Sequence, residues 1–469
     1  MTVSTEQALA ALAAAKFTTY WIDGLEPVAD EPALERDIDC DLLIVGGGFC
    51  GLWGALQAME QNPERDIVLI EAKSVANGAS GRPAAIMSTS VMHGIDNTER
   101  IFPDDVAELE RLGRENMDGF QQTLERYGID CDVEWGGEMK VSIGDEGLGD
   151  IEEAYRLYLK YGHEAVKLNR QEVRAEIKSP IFHGGTWSTK RCGTVHPGKL
   201  VRGLKQAVLG LGVRVFENTP HLHNRKTAQG IVVGTPWATI TARKVLLATN
   251  AWAAGHRHIS RRVAAIRDRI LVTEPLTHAQ MEKIGWQNRQ GIYDTRTQLN
   301  YMRLTADNRI LFGGRLDYFF GNNTDPAVDK TPQPFIRLAQ SFYRTFPQLI
   351  DHVRFAYAWS GPIGLTTRMA VHYQKYHDGD MVFAGGYSGF GVTASRFGAR
   401  VGLAILDQTG IPETRMQFAL TVPDYIPPEP FRWIGAKITM YALDTVDEKG
   451  GWRKLWVRIV QKMGFPITL

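Results

Sequence analysis

Hydrophobic residues recur every three to four positions in several parts of the chain, and this spacing predicts helices. The clearest example is VAELERLGRENMDGFQQTLERYG at 106–128. Similar spacing predicts helices at 151–162, 196–212 and 333–346, and the alanine-rich N-terminus predicts a short one. From 262 to 320 apolar and polar residues alternate instead, which predicts the strands of a large antiparallel sheet. The chain therefore combines helices with an extended sheet.

A strand, a helix and a second strand are predicted at 40–71, in that order. The first strand ends at the pattern Gly46-x-Gly48-x-x-Gly51, and the second strand ends at Glu71. The first glycine permits a tight turn, the second lets a pyrophosphate reach the backbone, and the third lets helix and strand pack closely. The helix N-terminus offers N–H donors to phosphates, and the terminal acid accepts hydrogen bonds from a ribose. This order and spacing predict a dinucleotide site.

Two more segments are rich in small residues. Residues 77–90 read NGASGRPAAIMSTS and contain one charge, Arg82. Such a bare stretch suits the close approach of an extended, buried cofactor to the backbone. The segment from Met381 repeats the first design, with a strand, a glycine-rich turn and a long helix. We expect the N-terminus of this helix to face another polar part of the same ligand.

Composition narrows the class of protein. At 469 residues the chain is long enough for roughly two to three domains. The 53 basic residues balance the 53 acidic ones, which argues against a nucleic-acid partner. The cysteines (Cys40, Cys50, Cys131 and Cys192) show no metal-ligand or disulfide spacing, so we expect no metal site and a reducing compartment. Neither a transmembrane stretch nor a signal peptide is recognised, so we expect a cytoplasmic location.

The motifs together resemble those of the glycine/D-amino-acid oxidase superfamily of FAD-dependent oxidoreductases. The chain is most similar to the branch that contains gamma-glutamylputrescine oxidase-like and aminophosphonate oxidase-like amine-oxidising flavoproteins. The segments that carry the resemblance are spread over residues 40–410 and read DLLIVGGGFCGLWGA, NGASGR, TVHPGKLVRGL, KVLLATNAW, ILVTEPL, YMRLTADNRILFGGR, WSGPIGLTTR and GGYSGFGVTASRFGAR. The resemblance implies an α/β fold. In it, a Rossmann-like FAD-binding domain of the glutathione-reductase-like βαβ type is interleaved with an α+β substrate domain built on a large antiparallel sheet.

The implied domains are discontinuous in sequence. We expect an N-terminal extension (1–39), an FAD-binding domain (40–90, 190–260 and 372–415), a substrate domain (91–189 and 261–371) and a C-terminal helical tail (416–469). The tail carries Trp433, Trp452 and Trp456 among many basic residues. It could pack on the domain with a basic outer face, or make a peripheral contact with a membrane surface or a partner.

The resemblance also implies which residues would bind FAD. They are Gly46, Gly48, Phe49, Cys50 and Gly51 in the first glycine loop, Glu71 and Ala72 beside the adenosine ribose, Ala79, Ser80, Gly81 and Arg82 along the middle of the cofactor and the flavin edge, His221 near adenine, and Gly389, Phe390, Gly391 and Val392 under the pyrimidine end. FAD is expected to be bound without a covalent link. His93 is the nearby histidine that could form such a link, and a solvated or core histidine is the simpler interpretation.

The implied activity is oxidation of a C–N bond of a small amine or an N-substituted amino acid. Hydride passes to flavin N5, the imine is hydrolysed to a carbonyl, and O2 or another electron acceptor takes up the electrons. The candidates for the substrate pocket are Tyr301, Arg303, Arg315 and Trp359. The stretch from Pro83 to Met87 carries no charge. A substrate carboxylate would therefore not be bound where the sarcosine-oxidising relatives bind theirs.

Two other functions fit the same motifs. One is that of a D-amino-acid-type dehydrogenase, and the other is that of a catalytically silent subunit that binds FAD as a scaffold. A flavin monooxygenase is disfavoured, because no NADPH-binding motif of the usual kind is present.

Overall fold

Two large sheets and the helices around them make up the described part of the protein. The computed structural model describes residues 3–255 and 259–462. One sheet is largely parallel, and the other is largely antiparallel. The chain alternates between the two sheets, so each is built from segments that lie far apart in sequence.

The strands, in chain order, are β1 (Ile38–Val45), β2 (Ile67–Ile70), β3 (Ile86–Met87), β4 (Glu138–Ile143), β5 (Ala165–Leu168), β6 (Phe182–Ser188), β7 (Gly193–Thr194), β8 (Arg214–Phe216), β9 (His223–Thr227), β10 (Gly230–Gly234), β11 (Thr239–Leu247), β12 (Ala264–Thr273), β13 (Gly291–Asp294), β14 (Asn300–Leu304), β15 (Ile310–Tyr318), β16 (Phe355–Leu365), β17 (His372–Tyr376) and β18 (Met381–Gly385). The α-helices are α1 (Thr5–Leu12), α2 (Tyr20–Asp23), α3 (Phe49–Gln61), α4 (Ile95–Ile101), α5 (Val106–Arg126), α6 (Leu148–Lys160), α7 (Arg170–Glu176), α8 (Pro197–Gly210), α9 (His278–Ile284), α10 (Ile336–Thr345), α11 (Gly391–Asp407), α12 (Gln417–Leu420), α13 (Phe431–Lys449) and α14 (Trp452–Lys462).

The predicted helices at 106–128, 151–162, 196–212 and 333–346 are confirmed as α5, α6, α8 and α10, and the N-terminal helix is α1. Their ends differ from the predictions by a few residues, which is the usual uncertainty of helix ends. The alternating stretch at 262–320 contains strands β12 to β15, as its period predicts. Local periodicity was therefore sufficient to find these elements.

The largely parallel sheet has the order β17-β18-β11-β1-β2-β8. Strand β1 pairs in parallel with β11 and β2, and β11 pairs in parallel with β18. Strand β17 runs antiparallel at one edge, and the hairpin of β9 and β10 is attached to β11. The carboxyl ends of the central strands therefore meet along one edge, which is where open parallel sheets bind their ligands.

Helices α3 and α11 cover one face of this sheet and pack against each other. Helix α5 joins the same core through Met117 and Phe120, and the ring of Phe120 lies 5.6 Å from that of Trp53. Helix α5 lies in the segment 91–189, and its apolar stripe packs against α11.

The largely antiparallel sheet has the order β16-β12-β15-β14-β13-β4-β6-β5. Strands β13 and β4 run parallel, and its other neighbours run antiparallel. One face packs on α1 and α10, with Met302, Leu304 and Phe312 in the core between them. The alternation along β14 places Tyr301 on the opposite face, where it lines a cavity.

Helices near both ends of the described residues pack on this second sheet. Helix α1 contacts α10, and a backbone bridge joins Lys16 to Tyr357 of β16. Helices α13 and α14 form a helical hairpin, here called the C-terminal hairpin, that packs on β15. Arg315 of β15 and Arg337 of α10 both pair with Asp444 of α13, at 2.6 and 2.8 Å. None of the helices described is both long and apolar enough to cross a lipid bilayer.

Candidate active site

A cavity of 1420 Å³ lies between the two sheets. Its wall includes the glycine turn after β1 and the face of the antiparallel sheet that carries Tyr301. Sites for ordinary small molecules occupy about 300–1,000 Å³. The cavity is therefore large enough for an extended cofactor together with a substrate.

The turn after β1 brings backbone N–H groups to the cavity. Gly46 has a φ of 112°, and a Cβ atom there would lie 2.9 Å from the carbonyl oxygen of Ala248. Gly48 is the N-cap residue of α3 and makes no side-chain capping bond. The backbone N–H of Phe49 donates to Oγ of Ser80 at 2.8 Å, and the remaining N–H groups of the first turn of α3 offer donors at the positive end of the helix dipole. Phosphate oxygens satisfy such groups.

Glu71, at the end of β2, lines the cavity beside this turn. Its carboxylate accepts hydrogen bonds from the backbone N–H of Gly47 at 2.8 Å and of Lys73 at 3.1 Å. Burial raises the pKa of this carboxyl above its usual value. The backbone N–H of Thr219 donates to the carbonyl of Glu71, which brings His221 into the same part of the wall.

A second helix, α11, starts at the same cavity. Its N-cap residue, Phe390, also lacks a side-chain capping bond, and the preceding Gly389 has a φ of 100°. The hydroxyl of Tyr387 donates to Sγ of Cys50 at 3.1 Å, which links the starts of the two helices. An elongated ligand with oxygen atoms at two positions fits between the N-termini of α3 and α11.

The small-residue loop (77–85) forms the middle of the wall and is held from behind. Arg82 donates from Nε to the carbonyl of Asn77 at 3.1 Å and from Nη1 to that of Ser360 at 3.3 Å. Five loop carbonyls accept hydrogen bonds from side chains elsewhere in the chain. Gly81 accepts from Thr19 Oγ1 at 2.8 Å, Arg82 from Trp359 Nε1 at 3.0 Å and Pro83 from Trp21 Nε1 at 2.8 Å. Ala84 and Ala85 both accept from Arg303 Nη1, at 3.5 and 3.2 Å. The N-terminal segment, β14 and β16 thus fix the loop.

Every residue predicted to bind the cofactor lines the cavity, except Gly51 and Gly81. These two glycines permit close packing instead. A Cβ atom at Gly51 would lie 1.9 Å from the carbonyl oxygen of Gly46, and one at Gly81 would lie 2.2 Å from that of Ala76. Both positions shape the wall without being part of it.

On the antiparallel sheet, Tyr301 and Asp268 form a hydrogen-bonded pair in the cavity wall. The tyrosine hydroxyl donates to Oδ2 of the aspartate. The ring of Tyr301 crosses β15 over Gly313, where a Cβ atom would lie 2.0 Å from the ring. Oδ1 of Asp268 has no hydrogen-bond partner within residues 3–255 and 259–462. Burial raises the pKa of Asp268 to about 6.

Arg315 lies in the same wall, on the side that the C-terminal hairpin covers. Its Nη1 pairs with Asp444 at 2.6 Å, and its Nε has no hydrogen-bond partner in the part of the chain that the structure describes. Val457 and Gln461 of α14 also line the cavity. The hairpin therefore contributes directly to the site.

Arg303 and Trp359 were predicted to contact the substrate, but the structure places both behind the cavity wall. Arg303 is 2% exposed, and its Nη1 donates to the carbonyl oxygen of Val195 at 2.6 Å as well as to that of Ala85. Burial lowers the pKa of its guanidinium to about 10. Trp359 packs in a buried cluster with Ile270. This prediction is corrected because the loop covers these side chains, which support the wall.

Glu138 is a buried acid in the cavity wall that the sequence analysis missed. It is 5% exposed, and its Oε1 accepts hydrogen bonds from Ser88 Oγ at 3.2 Å and Cys192 Sγ at 3.6 Å. Burial raises its pKa to about 7. A signal was present in EMKVSI, because Glu138 alternates with Met139 and Val141 and so lies on the face opposite the core.

We expect the stability of the protein to fall as the pH rises through the pKa of Glu138. Its folded-state pKa of about 7 exceeds the ordinary value of 4.5. The contribution of this carboxyl to stability is complete below pH 4.5 and is lost as the pH rises through about 7. The free energy of unfolding is expected to fall by roughly 3 kcal/mol over this range. Glu138→Gln cannot ionise and removes this dependence. Urea unfolding on the acid and alkaline sides of this range measures the difference.

The matched control for this experiment is Glu282→Gln, the same substitution at an exposed glutamate. It is expected to show the pH dependence of the wild-type protein. Identical pH dependence in the wild-type protein and in Glu138→Gln would contradict the burial of an ionisable group at this position.

His93, the residue considered for a covalent link, also lines the cavity, and its ring lies 4.3 Å from that of Phe390. Neither ring nitrogen has a hydrogen-bond partner among the residues described. Burial lowers the pKa of the imidazole to about 3, so the ring is neutral at physiological pH. It is thus an uncharged polar side chain beside the start of α11.

Known proteins are similar to this chain in sequence and in fold. The family of FAD dependent oxidoreductases called DAO matches residues 41–402. The gamma-glutamylputrescine oxidoreductase of Escherichia coli (strain K12) is 30% identical over 390 residues, which are 82% of this chain and 87% of that protein. The structure of glycine oxidase from Geobacillus kaustophilus is similar with a TM-score of 0.69 at 17% identity, over 82% of this chain and 99% of that one. The structure of L-proline dehydrogenase from P. horikoshii is also similar, with a TM-score of 0.66 at 16% identity, over 83% of this chain and 98% of that one.

The family match spans most of the chain and includes both glycine turns. The N-termini of α3 and α11 and the glycine turns provide the groups that a dinucleotide needs. The prediction of FAD as the cofactor is confirmed, and so is the prediction of an oxidoreductase. The chain belongs to the DAO family of FAD-dependent oxidoreductases.

Proposed function

We propose that this protein oxidises a C–N bond of a small amine or an N-substituted amino acid to an imine, which water hydrolyses to a carbonyl compound. FAD supplies the hydride acceptor, its N5 atom. The observation that carries the proposal is the pair of Tyr301 and Asp268, which places a buried carboxyl with a raised pKa in the cavity wall. An acidic group in this position suits an amine substrate.

The main task of the side chains is to bind the amine and to take its proton. Only a neutral amine has the nitrogen lone pair that assists departure of hydride, whereas most amines are protonated at neutral pH. A carboxyl with a pKa of about 6 is well matched to accept that proton, as Asp268 is. The hydrogen bond from Tyr301 to Oδ2 fixes the orientation of this carboxyl in the cavity wall. We assign Asp268 as the base and Tyr301 as the residue that orients it.

A substrate carboxylate would need a partner elsewhere. The segment from Pro83 to Met87 carries no charge, as noted above. Arg315 is the candidate, because it lines the cavity and its Nε is not used within the described structure. This position would favour an N-substituted amino acid, or an amine with a distant anionic group, over a simple alkylamine.

We propose that FAD lies along the cavity from the glycine loop to the start of α11. Gly46 and Gly48 would face its pyrophosphate, Glu71 its ribose and His221 its adenine. The loop 77–85 would follow its middle, and residues 389–392 would contact the pyrimidine end. The parallel sheet would then belong to the FAD-binding domain (40–90, 190–260 and 372–415), and the antiparallel sheet to the substrate domain (91–189 and 261–371).

Anaerobic titration of the purified flavoprotein with a panel of amines tests the proposal. The panel includes gamma-glutamylputrescine and glycine, after the names of the relatives. Loss of the visible absorbance of oxidised flavin with an amine, and release of the carbonyl product, are the expected results. Reoxidation in air then shows whether O2 accepts the electrons.

The control is chemical reduction of the same sample by dithionite, which shows that the flavin is accessible to reduction. A flavin that dithionite bleaches, but that no amine or amino acid of the panel bleaches, would contradict the proposed reaction. Glycerol 3-phosphate serves as a non-amine comparison, because an L-alpha-glycerophosphate oxidase shares the fold with a TM-score of 0.63.

A further inference from the structure

The outer surface of the C-terminal hairpin carries an unusual row of exposed apolar side chains, here called the outer face. On α13, Phe431, Ile434, Ile438 and Tyr441 recur every three to four residues, with exposed fractions of 68, 46, 38 and 46%. On α14, Trp452, Leu455 and Ile459 do the same, with 50, 61 and 41%. Each set therefore lies along one side of its helix. Monomeric proteins rarely leave such continuous rows in water.

The outer face is not the surface by which the hairpin packs on the rest of the protein. The two helices meet through a separate cluster that includes Leu443, Trp456 and Val460. Asp444 points to the antiparallel sheet, where it pairs with Arg315, and Val457 lines the cavity. Helix α14 thus has one apolar side that packs inward and another that faces solvent.

The two rows are continuous at the turn of the hairpin. The ring of Tyr441 is stacked on that of Trp452, with centroids 6.3 Å apart and planes within 16°. Trp433 contacts Phe320, which is 59% exposed, at the other end of α13. Tryptophan and tyrosine are the side chains that favour the boundary between lipid and water.

The charged residues of α14 indicate what kind of surface could bind the outer face. Helix α14 contains Arg453, Lys454, Arg458 and Lys462 and no acidic residue. Lys454, Arg458 and Lys462 are exposed and form no ion pair with any residue described. They follow the exposed apolar row along one side of α14. An apolar row beside a basic row is complementary to a surface that is apolar inside and anionic outside.

We propose that the outer face binds the surface of an anionic lipid bilayer, with the hairpin lying in the plane of the membrane. Since Val457 and Gln461 on the inner side of the same hairpin line the cavity, binding would hold the cavity close to the lipid surface. The inference does not depend on the proposed amine chemistry, because it rests on residues outside the catalytic pair.

Flotation of the full-length flavoprotein with vesicles tests the electrostatic part. We expect binding to vesicles of phosphatidylcholine with phosphatidylglycerol, much weaker binding to phosphatidylcholine alone, and release by salt. Lys454→Ala combined with Arg458→Ala is expected to lower the partition coefficient about 30-fold. Lys190→Ala combined with Lys283→Ala, at two exposed lysines outside the hairpin, is the matched control and leaves binding unchanged. Equal binding by both double variants would overturn the proposal.

The apolar part is tested with Leu455→Ser combined with Ile459→Ser. This variant is expected to lower the partition coefficient by at least about tenfold while flavin content and thermal stability stay as in the wild-type protein. Size-exclusion chromatography of the wild-type protein and of this variant tests the alternative that a second copy of the chain covers the outer face. A wild-type dimer that the variant converts to a monomer, without binding of the wild-type protein to anionic vesicles, would show that a second copy covers the outer face and would refute lipid binding. Recovery of the wild-type protein with the vesicles supports the proposal.

Discussion

Gly51→Ala is expected to give a protein that retains little FAD and unfolds at a lower temperature. The added Cβ atom would lie 1.9 Å from the carbonyl oxygen of Gly46 and 3.2 Å from the side chain of Ile44. The first of these neighbours is backbone and cannot rotate away, so α3 must shift from β1. Overpacking of this kind costs about 1–3 kcal/mol or more. It also displaces the start of α3, from which the phosphates would be bound.

The ratio of flavin to protein after purification measures the loss of FAD, and thermal unfolding with and without added FAD measures the stability. Bound cofactor stabilises the folded state, so the two losses are expected together. Gly149→Ala is the matched control, since a Cβ atom there has open space around it and the residue lies within α6. That variant is expected to be as stable as the wild-type protein or up to about 1 kcal/mol more stable. Full flavin content in Gly51→Ala would contradict the role given to the glycine turn.

Asp268→Asn is expected to lower kcat/KM for the amine that reduces the flavin by about 10²- to 10⁴-fold. The asparagine has nearly the same shape and can still accept the hydrogen bond from Tyr301, but it cannot take the proton of a substrate ammonium group. Flavin content and thermal stability should therefore stay close to the wild-type values. The loss should appear in the rate of flavin reduction in a stopped-flow experiment, not in cofactor binding.

The pH profile makes this prediction specific. With Asp268 as the base, the wild-type rate falls as the pH drops below about 6, because the carboxyl becomes protonated. This acidic limb should be absent in Asp268→Asn. Tyr301→Phe keeps the carboxylate and should show a smaller loss. Tyr20→Phe is its control, since Tyr20 donates to Asp307 at 2.8 Å outside the cavity wall. An unchanged kcat/KM in Asp268→Asn would eliminate Asp268 as the base.

The sequence was informative where the chemistry depends on the backbone. A glycine pattern between a buried strand and a helix has few structural outcomes, so the position of Gly46 and Gly48 in the cavity wall could be predicted from their spacing. The same holds for the second turn before α11. Period-two alternation also indicated which side of β14 faces away from the core, because it follows from strand geometry alone.

The alternation of residues along β14 could not show which other parts of the chain cover the side that faces away from the core. Arg303 and Tyr301 share a face of β14, but the loop around Ala85 and the carbonyl of Val195 cover Arg303 while Tyr301 remains at the cavity. These covering residues are more than a hundred positions away in sequence. Asp268 was missed for a related reason. It lies between Arg267 and Arg269 and looks like part of a charged surface strand until the ring of Tyr301 reaches it across Gly313.

The carbonyl groups of the small-residue loop have a consequence for charge in the cavity. Each carbonyl oxygen carries partial negative charge, and donors outside the cavity, including Thr19 and Trp21, hold those of Gly81 and Pro83 away from it. These carbonyl dipoles therefore do not repel negative charge that develops on a group beside the loop. Thr19 and Trp21 do not line the cavity, yet through these two hydrogen bonds they reduce the negative partial charge that a ligand beside the loop would meet.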